Sequence, residues 1–168
     1  MLVVLWAATS TGCDFLTRSP VTALLLGLVS SALVAAGIAD LRTGLIPRAL
    51  VVPAILAAAL LDVYAHGVVA GLIVSALVSA LWIPFGMRLI SKRLAGGGDA
   101  KVMWANWLVM MAFPGVYPII LIVAWVSLFA AVSAVRRRVF RKTHYRAGLA
   151  LALTANASWL LGLLFMRF

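Results

Sequence analysis

The chain contains no glutamate. Its acids are four aspartates, Asp14, Asp40, Asp62 and Asp99, set against 14 lysines and arginines. Only 11% of the 168 residues are charged, whereas a soluble domain carries about a quarter. That scarcity excludes an ordinary water-facing globular domain. Cysteine is nearly absent as well. Cys13 stands alone, so neither an intramolecular disulfide nor a cysteine-based zinc site can form. Strict apolar–polar alternation in ten-residue units is missing, which argues against a membrane β-barrel. The opening stretch "MLVVLWAATSTGCDF" has a short apolar run and no basic residue before it, and it makes a poor signal peptide. Residues 1–19 are expected to form an interfacial segment or half-helix, with Cys13 a plain thiol.

What the chain has in abundance is apolar length. Hydrophobic residues make up 65% of it. They gather in six segments, roughly 20–39, 47–65, 67–90, 100–113, 116–135 and 147–165. A bilayer crossing needs about 20 such residues, and the fourth segment is short. Pro84 is expected to kink the third. The fold class implied is all-α: a single-domain, polytopic integral membrane bundle of about six transmembrane helices. No internal repeat or linker divides it.

Charge orients this bundle. The connection at 40–48 holds Arg42 and Arg48, and 87–101 holds Arg88, Lys92, Arg93 and Lys101. The stretch 136–146 holds six more basic residues, while the intervening connections at 65–67 and 114–115 hold none. Only Arg18 and Arg167 lie elsewhere. The positive-inside rule makes the basic side cytoplasmic and sends both termini outward. The net charge of +10 is thereby read as topology and contact with anionic membrane lipids, not nucleic-acid binding.

A carboxylate at the centre of a membrane span costs at least about 2.5 kcal/mol, so each aspartate needs a reason. Asp14 is expected to be solvated. Asp62 is expected near the outer interface, beside His66. A metal there would lack an evident third ligand. Asp40 and Asp99 differ. Asp40 ends the first segment and Asp99 opens the fourth, and between them the chain crosses out and back. Both carboxylates therefore return to one membrane face. Two close carboxylates share a proton, giving one base and one acid. That is the aspartic-protease division of labour. Arg42 and Lys101 flank the pair and could bias it or bind substrate carboxylates; ordinary positive-inside charge is the alternative. A structural account also exists: Asp40 pairing with Arg42, and Asp99 capping the next helix.

The motif "GGGDAK" (96–101) resembles the GxGD motif of membrane-embedded aspartic proteases. Its G-x-G-D-x-K form, with Gly96, Gly98, Asp99 and Lys101 in place, is similar to that of the type IV prepilin peptidases. The stretch "ADLRTGLIPRAL" (39–50) resembles the other half of that family's signature, in which an aspartate ends a helix and a basic connection runs into Ile-Pro, here Ile46 and Pro47. The resemblance spans roughly residues 20–165. It implies a catalytic pair, Asp40 and Asp99, that needs no metal or cofactor. It also implies cleavage of the basic leader of prepilin-like precursors at the cytoplasmic membrane face. Long bacterial members carry an extra cysteine-containing domain and methylate the new N-terminus. This chain resembles the short form of Flp or Tad pili, which implies peptidase activity without methylation. Short archaeal preflagellin peptidases are a second match. Presenilin-like proteases place Tyr before the partner aspartate, where this chain has Ala39. Arg48 stands where the family shows Asn after Ile-Pro. The last segment opens with "HYRAGLALAL" (144–153), which keeps Tyr145 of a Pro-Tyr-Gly-like stretch without its Pro and Gly. The competing expectation is a non-enzymatic protein, either a small transporter or a pilus assembly component. Its sign would be polar groups at mid-span beside a broken helix.

Overall fold

The computed structural model describes residues 19–92, 96–139 and 148–165. Six helices follow in order: α1 (Pro20–Thr43), α2 (Arg48–His66), α3 (Val68–Ser91), α4 (Gly97–Met111), α5 (Tyr117–Val139) and α6 (Gly148–Phe165). No strand occurs among the described residues. The fold is thus the expected all-α membrane bundle. Helices α1, α2 and α3 are each long and apolar enough to cross a membrane, while the apolar stretches Tyr117–Val132 and Gly148–Leu163 are shorter. Of the segment expected at 1–19, residues 1–18, with Cys13 and Asp14, lie outside the described residues, as do His144 and Tyr145.

Two boundaries shift in ways that place the site. Helix α1 runs to Thr43, past the end of its apolar segment, so Asp40 sits one turn inside it. Hydropathy marks where side chains turn polar, but a helix continues until its hydrogen-bond ladder is stopped. The stop here is Gly44, left-handed at φ 73°, whose N–H donates to the Asp40 carbonyl at 2.8 Å. Such a cap favours a residue without a Cβ. Helix α4 begins at Gly97, earlier than its apolar run, so Asp99 lies in its first turn. Pro47, with φ −64°, is the N-cap of α2. Pro84 lies inside α3, which continues as helix on both sides of it.

Helix α4 is the hub. At 15 residues and 1.5 Å per residue it is about 22 Å long, short of a roughly 30 Å hydrocarbon core. It packs against each of the other five helices, and Ala105, Asn106, Val109 and Met110 on it have no exposed surface. A helix shielded by its neighbours need not span. The outer helices instead turn Leu24, Leu56, Leu72, Leu81 and Ile119 outward, which suits surroundings as apolar as leucine itself.

Contacts along the bundle show that the helices alternate in direction. Ser19 shares a 3.1 Å hydrogen bond with Tyr64, pairing the start of α1 with the end of α2. His66 Nε2 donates to the Met111 carbonyl at 2.8 Å, so α2 and α4 finish at the same end. Asp40, Ile46, Gly98 and Gly148 gather at the opposite end.

Asp62 departs from the expectation of an interfacial carboxylate. It is fully buried, and its Oδ2 accepts from Ser75 Oγ on α3 at 2.9 Å. The adjoining crossing is very close: a Cβ on Gly71 would overlap the Val63 backbone. Backbones brought that near enclose the neighbouring side chain. His66 turns to Met111 rather than to Asp62.

Candidate active site

Four segments meet at one end of the bundle, the last of them the first turn of α6 at Gly148. The first is the end of α1. Asp40 is 7% exposed there, and its Oδ2 accepts from the Gly148 N–H at 3.1 Å. The orientation follows from a close crossing of α1 and α6 one turn away. A Cβ on Gly37 would lie 2.7 Å from Leu149 Cα. The first turn of α6 therefore stands directly beside Asp40. Its amides have no partner within their own helix, and its dipole favours a negative neighbour.

The second segment is the connection from α1 to α2. Ile46 projects from it into the gap between α4 and α6. A Cβ on Gly98 would meet Ile46 Cβ at 2.6 Å, and one on Gly148 would meet Ile46 Cδ1 at 3.1 Å and Asp40 Oδ2 at 2.9 Å. These glycines act through absent volume: any side chain there would push apart the segments carrying the two aspartates.

The third segment is the start of α4. Asp99 is not its N-cap. Gly96 takes that position, with extended backbone at φ −74° and ψ 157°. Asp99, three residues on, accepts from the Gly96 N–H through Oδ2 at 3.2 Å, forming half of a capping box. Asp99 is half-buried and precedes the apolar stretch of α4. Burial raises its carboxyl above the ordinary aspartate range, the Gly96 amide partly offsets this, and the charge of Asp40 adds to the rise.

The flanking basic residues are not part of this cluster. Arg42 is exposed and lies about 200° around the helix from Asp40. Lys101 lies a similar angle from Asp99 and lines a separate groove between α3 and α4 with Trp82 and Gly86.

No protein-family model, curated protein or solved structure matches this chain.

The arrangement therefore has to be judged on its chemistry. Two carboxylates stand at one bundle end, one accepting from a helix N-terminal amide and the other raised above the ordinary aspartate range by burial. Among the described residues no group of three His, Cys, Asp or Glu side chains could hold a metal. Sequence reasoning did not find Gly148. Its one local signal is a glycine opening an apolar segment, and its role depends on Asp40, 108 positions earlier.

Proposed function

We propose that this protein is an intramembrane aspartic endopeptidase. In this reading it removes the basic leader from prepilin-like precursors at the cytoplasmic membrane face, without methylating the product. The observation that carries the reading is that Ile46 packs both at Gly148, beside Asp40, and at Gly98, next to Asp99, with Asp99 raised chiefly by burial and in part by the charge of Asp40. Resemblance to the GxGD motif supplies the substrate class, and the distribution of lysine and arginine supplies the side of the membrane.

In this mechanism Asp40 serves as the base and Asp99 as the acid. Asp40 takes a proton from a water whose oxygen attacks the scissile carbonyl carbon, while Asp99 protonates the carbonyl oxygen. A neutral gem-diol results. Asp40 then gives its proton to the amide nitrogen as the C–N bond breaks, and one diol hydroxyl returns a proton to Asp99. Both groups end as they began, and water has been added across one peptide bond.

The test is co-expression with a candidate prepilin. Asp40→Asn and Asp99→Asn should each abolish the mobility shift that marks leader removal, with the variants still present in the membrane. Cleavage by both variants would end the peptidase reading. The mature product should have an unmethylated N-terminus by mass.

A second reading, a small transporter or a non-enzymatic assembly component, draws on the buried Asp62–Ser75 pair. Both partners sit on continuous helices, however, rather than at a break of the kind transport sites use.

A further inference from the structure

The face of α4 turned away from Asp99 borders a groove of about 130 Å³ against α3. Trp82 and Trp104 form its walls, Gly86 and Ala100 its floor, and Gly97 and Lys101 its mouth. The walls are fixed by hydrogen bonds. Trp82 Nε1 donates to the Ala100 carbonyl at 2.9 Å, and Trp104 Nε1 donates to Ser79 Oγ at 3.2 Å. With both indole N–H groups satisfied in this way, the interior of the groove is apolar. It opens sideways past Met87, which is 63% exposed, on a helix long and apolar enough to cross a membrane.

The mouth has the opposite chemistry. Lys101 brings a cation. Gly97 opens α4, and a Cβ built on it would meet nothing within 4 Å, so its backbone is open to a ligand. First-turn amides lack helical partners and favour anions. Positions 97, 100, 101 and 104 share one helix face. Asp99 falls outside that face, its carboxylate turned to the Gly96 N–H.

We infer that this groove holds one anionic phospholipid, its acyl chain between Trp82 and Trp104 and its phosphate on Lys101 and the first turn of α4. The opening of the groove lies on an apolar helix of membrane-crossing length, where acyl chains are the surrounding medium. Charge separates an anionic headgroup from a zwitterionic one. The site does not depend on the peptidase reading.

The experiment is native mass spectrometry of the full-length protein released from vesicles of equal phosphatidylglycerol and phosphatidylcholine. The wild type should retain one phospholipid per chain, with phosphatidylglycerol preferred at least about fivefold. Lys101→Gln should keep the lipid but bring the preference close to one. Arg88→Gln, a change at an exposed cation of α3 outside the groove lining, should leave the preference unchanged. Gly86→Leu should abolish retention, its helical circular dichroism being checked first; if it does not fold, Lys101→Gln decides alone. Equal retention of the two lipids by the wild type, no retention at all, or a Lys101→Gln preference equal to wild type would each overturn the proposal. Displacement of the lipid by an apolar helical peptide would also overturn it.

Discussion

At the residue scale, the two site aspartates play different parts although the sequence presents them alike. Asp40 is nearly sealed and bonded to the first amide of α6. Asp99 is half-buried and bonded to its own N-cap. Burial lifts the Asp99 carboxyl above its ordinary value of 3.8. A group whose pKa is raised by folding contributes stability that is fully present below the unfolded value and lost as pH rises through the folded one. The melting-temperature difference between wild type and Asp99→Asn should therefore shift against the wild type as pH increases from about 4. A difference that is flat, or that moves the other way, would contradict the assignment of Asp99 as the proton holder. Asp99 could be read from its motif. The sign of its shift could not, because burial and the charge of Asp40 are both tertiary.

At the element scale, the crossing of α1 and α6 decides where Asp40 points. The Leu149 backbone at Gly37, and the Asp40 and Ile46 side chains at Gly148, leave no room for a methyl group. Overpacking a tight interior contact costs about 1–3 kcal/mol, and displacing a reacting group by 1 Å can cost about 10²-fold in rate. Gly37→Ala should lower thermal stability and slow leader cleavage together, although Gly37 is a full turn from Asp40. Gly148→Ala should slow cleavage by about 10²-fold with a smaller loss of stability. Wild-type cleavage by both variants would show that the crossing does not position Asp40. The sequence placed six helices closely because apolar runs must be covered by lipid or by one another. It missed how far α1 and α4 extend, since a helix ends at a cap such as Gly44 and not where hydropathy falls.

At the scale of the whole molecule, the alternating directions of the helices carry a prediction about topology. Leu45, at the aspartate end, and Val68, at the other, are both well exposed. In a background with Cys13 replaced, Leu45→Cys should react with an impermeant maleimide only from the cytoplasmic side, and Val68→Cys only from outside. Reaction of both from one side would break the topology on which the peptidase reading depends. The bundle also explains how so short a helix as α4 sits at its centre. With the other five helices packed against it, α4 buries Asn106 completely, and that side-chain amide has no hydrogen-bond partner among the described residues.

The sequence by itself determined the all-α membrane class, the order of six helices and the return of Asp40 and Asp99 to a common end. Each follows from local composition and from counting crossings, so neighbours along the chain suffice. Only the tertiary structure decided that Gly148 holds Asp40, that Ile46 fills the space beside Gly98, that Lys101 faces a groove instead of the aspartates, and that Asp62 bonds to Ser75 rather than lying at the surface. Those outcomes depend on how closely two backbones approach and on which way a helix face is turned. Such distances are set by packing between segments remote in sequence, and hydropathy along the chain contains no measure of them.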